Sequence, residues 1–109
     1  MRQRKQIDYV LINRTALARL PDLLRAWLPD GKRIGNEYVA LNPNRIDRNL
    51  GSFRINLDTG RWADFAIDDA RGGDPVSLAA YLAGISQAEA GRKLAEMWGL
   101  RHGYRKQHV

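Results

Sequence analysis

Residues 52–65 read SFRINLDTGRWADF, and this stretch has the pattern of a β-hairpin. In its first half apolar and polar residues alternate, which places Phe53, Ile55 and Leu57 on one face of a strand. Residues 58–60, Asp-Thr-Gly, are typical of a tight turn because the glycine adopts a positive φ without steric cost. The remaining residues return as the partner strand. The stretch therefore predicts two antiparallel strands that bury one face.

A third strand and an N-terminal helix precede the hairpin. Residues 37–41 have the composition of a short strand that ends at an Asn-Pro pair. From Arg14 onward, leucines recur at spacings of three and four residues, which indicates an amphipathic helix. Pro21 is expected to divide this stretch into two short helices because proline lacks an amide donor. Residues 7–12 are compatible with either a strand or a docked arm.

Two helices follow the hairpin. Asp74 is expected to cap the first, since Pro75 at the first helical position needs no amide donor. Gly84 is expected to end that helix, and Ser86 to begin the second through a capping box with Glu89. The order of elements predicts an α+β fold, in which a small three-stranded antiparallel sheet packs with an N-terminal helix and two C-terminal helices.

The chain has the length of a single domain. Its 109 residues, of which 44% are hydrophobic, supply one modest core. We expect a basic N-terminal arm over residues 1–13, one folded domain over residues 14–100 and a basic C-terminal tail over residues 101–109. No apolar run approaches the roughly 20 residues of a membrane span. We therefore expect a cytoplasmic protein without a membrane partner.

The sequence contains no cysteine, which excludes disulfides and thiolate zinc sites. Its two histidines, His102 and His108, lie in the basic tail, where solvated residues are far commoner than metal ligands. No metal or cofactor is expected. Because the folded body has no cysteine or histidine to act as a nucleophile or base, the sequence predicts a protein that is not an enzyme.

The formal net charge is +6 and the isoelectric point is about 10.2, which favours a nucleic acid as partner. All of this excess lies at the ends. Three basic residues precede position 6 and three follow position 100, whereas residues 6–100 contain 12 basic and 12 acidic residues. Basic tails attract a phosphate backbone, but solubilising termini have the same composition.

Five short stretches of the sequence follow one another in a recognisable order. They are YVALNP at 38–43, GSFRIN at 51–56, GRWADF at 60–65, GGD at 72–74 and GISQAEA, which begins at residue 84 and opens a predicted helix. In this order they resemble the N-terminal zinc-ribbon module of bacterial, phage and plasmid DNA primases. The likeness extends over residues 23–100. It implies a zinc-ribbon-like fold that contacts single-stranded template in DNA replication. It also implies a partner protein, a primase or helicase, that supplies catalysis.

The zinc ligands of that family are missing. Asn42 stands at the first cysteine, Arg45 lies near the family's histidine, and Asp64 with either Ile67 or Asp68 lies near the last two cysteines. A tetrahedral zinc site needs four nitrogen or sulfur donors or an occasional carboxylate, and this set offers one or two. The resemblance therefore implies a metal-free module, in which hydrogen bonds and aromatic packing replace the metal.

Arginines and aromatic residues alternate through the sheet region, as they do in single-strand binders, where guanidinium groups hold phosphates and aromatic rings stack on bases. The predicted nucleic-acid-binding residues are Arg45, Arg48, Arg54, Arg61, Trp62 and Arg71. Solvated surface arginines remain an equal alternative for Arg54 and Arg61, and burial is the alternative for Trp62. Phe53 and Phe65 are expected in the core.

Two functions follow from these observations. The first is a non-catalytic module that binds nucleic acid, with single-stranded DNA as the expected ligand, in DNA replication or in plasmid or phage maintenance. The second is a protein-interaction module that has kept the fold and docks onto a replication protein or a regulator.

Overall fold

The computed structural model describes residues 6–44, 51–100 and 104–105. In this part of the chain four helices and seven strands follow one another, and the first and last strands pair near the termini. The elements are β1 (Gln6–Ile7), α1 (Tyr9–Ala18), α2 (Leu20–Trp27), β2 (Lys32–Ile34), β3 (Glu37–Ala40), β4 (Phe53–Asn56), β5 (Trp62–Asp64), β6 (Arg71–Gly72), α3 (Pro75–Ala83), α4 (Gln87–Met97) and β7 (Tyr104–Arg105).

The main sheet is antiparallel and has five strands in the order β2-β3-β4-β5-β6. The predicted α+β class is confirmed, and the hairpin forms as β4 and β5, with Gly60 at a φ of 78° in the turn. The predicted count of three strands is wrong. β2 and β6 extend the sheet at its two edges, and both escaped prediction because they are two or three residues long and β2 buries none of its residues.

The N-terminal helix begins earlier than the sequence pattern indicates. α1 starts at Tyr9 rather than Arg14, because the Asp8 side chain accepts a hydrogen bond from the Leu11 amide at 3.1 Å and caps the helix. Ile7 belongs to β1, which pairs with β7, and Ile12 is fully buried. The predicted boundary between residues 13 and 14 therefore falls inside a helix of the folded domain.

The other helix signals match the structure except for the capping box predicted between Ser86 and Glu89, of which the structure shows only the Ser86 half. α1 and α2 are separated at Arg19, with Pro21 in the first turn of α2. Asp74 caps α3 through the Ser77 amide at 2.8 Å, and Gly84 ends it in the left-handed conformation. Ser86 accepts a hydrogen bond from the Glu89 amide at 3.1 Å, whereas the reciprocal capping box lies at Asp74 and Ser77.

The hydrophobic core consists of two clusters. One lies between the sheet and helices α2 and α3, and its buried members are Leu20, Leu24, Leu28, Tyr38, Ala40, Phe53, Ile55, Trp62 and Leu78. The other joins α1, α3 and α4, and its buried members are Ile12, Val76, Ala80, Ala90, Leu94 and Ala95. Trp27 packs against both clusters. The first cluster covers one face of β4 and β5 and leaves the opposite face for other contacts.

Within the described ranges, no helix combines the length and the apolar character that crossing a bilayer requires.

Candidate functional site

The sheet face opposite Phe53 and Ile55 carries two of the predicted arginines, Arg54 on β4 and Arg71 on β6. Arg54 pairs with Ala63 on the neighbouring strand, and Ala63 pairs in turn with Arg71 on β6. Neighbouring strands lie about 4.8 Å apart, so the two arginine backbones flank Ala63 at a separation of about 10 Å. The small alanine between two long cationic side chains leaves open space above the sheet.

This space is a cavity of about 500 Å³, which we call the arginine groove. Its cationic lining residues are Arg54, Arg61 and Arg71, and Glu37 is the acidic one among the described residues. Ala63, Gly72 and Gly73 also line it, and their lack of large side chains keeps it open. The groove thus collects three of the predicted binding arginines and has net positive charge.

Arg54 is held in place before any ligand arrives. Its Nε donates a hydrogen bond to the Gly51 carbonyl at 2.7 Å, and its Nη1 donates to Glu37 Oε1 at 3.1 Å. Side chains of both partners in this ion pair are about one-third exposed, so the pair lies at the surface of the groove. Arg61 and Arg71, in contrast, are exposed.

Phe65 is the lining residue that the sequence interpretation placed wrongly. It was expected in the core, but 75% of it is exposed, and its ring borders the arginine groove. The Phe65 amide donates to the Ser52 carbonyl at 2.9 Å, which continues the hairpin ladder past β5. Because Trp62 and Asp64 point inward, strict alternation sends Ala63 and Phe65 outward. This alternation was the signal available in the sequence.

Trp62 is buried, which was the alternative to a role in binding nucleic acid. It is 5% exposed, its Nε1 donates to Ser77 Oγ at 2.9 Å, and its ring centroid lies 4.8 Å from that of Tyr81. A β-carbon at Gly72 would overlap the indole nitrogen and the Ser77 hydroxyl, so glycine is required there. Trp62 is also a lining residue of the groove, but because it is 5% exposed its ring is not available to stack on a base.

The remaining two predicted binding residues, Arg45 and Arg48, lie outside the described residues.

Two of the residues that the sequence comparison set against zinc ligands, Asn42 and Asp64, are in contact in the structure. Asn42 Nδ2 donates to Asp64 Oδ2 at 2.9 Å and to the Tyr81 hydroxyl at 2.8 Å, and Asn42 and Asp64 are each 1% exposed. Asp64 Oδ1 also accepts from the Ala66 amide at 3.0 Å. We call these three side chains, Asn42, Asp64 and Tyr81, the polar clamp, since they tie the end of β3 and the end of β5 to α3.

The polar clamp does not fit a zinc ion. An amide, a carboxylate and a phenol lack the nitrogen and sulfur donors that tetrahedral zinc requires. Asp68 is exposed, whereas Asn42 and Asp64 are buried. Across residues 6–44, 51–100 and 104–105, no group of three or more histidine, cysteine, aspartate or glutamate residues is placed to hold a metal ion.

Comparison of the chain with protein-family models, curated proteins and solved structures finds no match.

Proposed function

We propose that this protein binds single-stranded nucleic acid, with single-stranded DNA as the favoured ligand, in the arginine groove. The observation that carries the proposal is the meeting of three arginines with an exposed phenylalanine around one groove of about 500 Å³. Guanidinium groups bind phosphates through charge-assisted hydrogen bonds, and an exposed aromatic ring stacks on a base. The groove presents both chemistries on one face of the sheet.

The exposed ring favours a single strand over a duplex. Phe65 can stack on a base only when that base has left its own stack, as bases in single strands do. An exposed phenylalanine also costs hydration free energy in the unbound protein, which a stacked base would recover. A protein that bound only the backbone of a duplex would need the three arginines but not the exposed Phe65 ring.

The resemblance to the primase module remains part of the proposal. A zinc-ribbon ancestor requires its ligand positions to lie side by side, and the contact between Asn42 and Asp64 supports this. On this basis the protein is a non-catalytic template-binding module in DNA replication or in plasmid or phage maintenance. A separate primase or helicase protein supplies the chemistry.

The test is the binding of the purified protein to single- and double-stranded oligonucleotides of the same sequence across a salt series. Phe65→Ala should lower single-strand affinity by ~1 to 3 kcal/mol, as removal of a stacking ring does. Its melting temperature should stay nearly constant, because truncation of an exposed side chain changes stability by about 0.5 kcal/mol or less. Ala63→Leu should block the groove without changing its charge.

Arg61→Ala and Arg71→Ala should each weaken binding and reduce the salt slope by ~0.7 for each phosphate that the protein no longer neutralises. The matched control is Arg92→Ala, which removes an exposed arginine from α4, away from the groove. Equal affinities for single and double strands, together with parental binding by the Phe65 and Ala63 variants, would contradict the proposal.

A second function, docking onto a replication protein or regulator, is favoured by one observation outside the arginine groove. A largely apolar groove of about 440 Å³ runs between α3 and α4. Its larger apolar lining residues are Trp27, Leu82, Ile85, Leu94 and Met97, and Lys93 also lines it. Met97 is 55% exposed there. If the oligonucleotides bind only weakly and none of the groove variants differs from the parent, this interaction function becomes the better one.

A further inference from the structure

The arginine groove contains one group that phosphate binding does not explain. Glu37 lines it, about one-third exposed, although a carboxylate repels the phosphates that the three arginines attract. A groove built only for a backbone would bind more tightly without this charge. The feature to explain is therefore an acid placed inside a cationic site.

The Glu37 carboxylate has a defined position in the groove. Its Oε1 accepts from Arg54 Nη1 at 3.1 Å, and Arg54 is itself anchored because its Nε donates to the Gly51 carbonyl at 2.7 Å. Glu37 also pairs with Asn56 between β3 and β4, so the strand backbone fixes the position from which the Glu37 side chain extends. An acceptor with a fixed position can select among ligands by their hydrogen-bond donors.

We infer that Glu37 accepts a hydrogen bond from the exocyclic amino group of a base bound in the groove, so that the protein prefers amino-bearing bases to thymine. This inference rests on the proposed function and names the chemistry that the same site selects. A carboxylate has no proton to donate, and the N4 amino group of cytosine is a donor that glutamate and aspartate accept. Thymine presents a carbonyl oxygen at that position, which repels a carboxylate.

Cytosine and thymine homopolymers of equal length form the sharpest comparison, because both are pyrimidines and stack on Phe65 with rings of the same size. Binding is measured by fluorescence anisotropy in a slightly alkaline buffer, in which cytosine is unprotonated. The parent protein should prefer oligo-dC to oligo-dT by roughly fivefold, the ratio that corresponds to about 1 kcal/mol for one base contact.

Glu37→Gln should bring that ratio close to one, since an amide both donates and accepts and so pairs with either base. The variant also removes a negative charge, which raises affinity for both homopolymers, and the ratio between them is therefore the quantity to compare. Glu96→Gln is the matched control, because it removes an exposed carboxylate from α4, away from the groove. It should leave the ratio at the parental value.

A parent protein that binds both homopolymers equally overturns the inference and leaves the proposed function standing. A preference for oligo-dC that persists in Glu37→Gln overturns it as well, because the selection then has another source. Binding to neither homopolymer overturns the proposed function and the inference together. A purely structural role for the ion pair between Glu37 and Arg54 would change the melting temperature without changing the ratio.

Discussion

At the scale of single residues, the polar clamp ties the ends of two strands to a helix through buried hydrogen bonds. Asn42 lies just past the end of β3, and Asp64 is the last residue of β5. Here an amide and a carboxylate meet at 2.9 Å with almost no solvent exposure, and Tyr81 adds a contact to α3. A buried polar group destabilises a fold when its hydrogen bonds are not satisfied, which makes this clamp sensitive to the removal of any member.

We therefore predict that Asp64→Ala lowers the free energy of unfolding by about 2 to 4 kcal/mol, as expected when buried donors lose a charged acceptor. The Asn42 amide and the Ala66 amide each lose the oxygen to which they donate. Urea unfolding of parent and variant measures the difference. Asp68→Ala is the control, since Asp68 is exposed and its removal should cost about 0.5 kcal/mol or less. Equal unfolding midpoints for Asp64→Ala and the parent would show that the clamp contributes nothing.

Tyr38 links stability to pH at the same scale. Its ring is buried in the first cluster and its hydroxyl donates to the Leu28 carbonyl at 2.7 Å. Burial raises the pKa of Tyr38, the Arg25 charge opposes this increase and the Asp30 charge adds to it. A pKa higher in the folded than in the unfolded chain means that the stability contribution is complete below the ordinary tyrosine pKa of about 10 and is lost as pH rises above it.

The pH dependence of Tyr38→Phe tests this linkage. At neutral pH the variant should be less stable by about 1 kcal/mol, because it lacks one buried hydrogen bond. The difference from the parent should shrink as pH rises above about 10. The unfolded parent then releases the Tyr38 proton while the folded parent, in which the pKa is raised, retains it, and this shifts the equilibrium towards unfolding. Urea midpoints at neutral and alkaline pH measure this. Tyr9→Phe, which removes a hydroxyl from an exposed ring, is the control. A constant difference between parent and Tyr38→Phe would contradict the prediction.

At the scale of elements, the sequence predicted those whose signals are local. The turn at residues 58–60 and the cap at Asp74 each depend on neighbours a few residues away, and both form as expected. β6 has no such signal, whereas the Gly35-Asn36 turn between β2 and β3 was a local signal that the interpretation missed. β6 is two residues long and exists only because Trp62 and Ala63 offer it a free strand edge, and that edge is known only after the hairpin has formed.

The residues of the candidate site also divide into those that the sequence predicted and those that only the structure reveals. Arg54, Arg61 and Arg71 were predicted from composition, and the structure brings them to one groove, although their role in binding stays a prediction. The contributions of Glu37 and of the small floor residue Ala63 depend on register across three strand pairs, which composition does not contain. Phe65 was assigned to the core because aromatic residues are usually buried. The alternation along β5 decides otherwise.

At the scale of the whole molecule, the termini carry the excess positive charge and also contribute a pair of strands to the fold. The excess of six positive charges lies in residues 1–5 and 101–109. The two-stranded sheet pairs Gln6 with Arg105 and Ile7 with Tyr104, so the chain ends join the domain side by side. Ile7 also packs on α4, where a β-carbon at Gly91 would lie 3.1 Å from Ile7 Cγ2. Deleting the termini wholesale would therefore remove β7 and damage the domain.

Neutralising charges outside the paired strands separates the affinity that comes from the charged termini from the affinity that comes from the arginine groove. We predict that the combined variant Arg2→Gln, Arg4→Gln, Lys5→Gln and Lys106→Gln keeps the parental melting temperature, because β1 and β7 are unchanged. It should reduce the slope of log K against log salt by ~0.7 for each single-strand phosphate that the tails neutralise in the parent. Interactions of the tails with phosphate are sequence-independent and reach any backbone, so single- and double-stranded affinities should fall together.

The arginine groove predicts the opposite selectivity, and this contrast is the decisive measurement. Phe65→Ala removes a stacking ring and should lower single-strand affinity while leaving duplex affinity and the salt slope close to the parent. The combined tail variant should lower both affinities and the slope. If the tail variant retains the parental slope, the four neutralised side chains do not contact phosphate, and the salt dependence arises from the remaining cations, which include the three groove arginines. If instead Phe65→Ala lowers both affinities equally, the groove does not distinguish a single strand from a duplex.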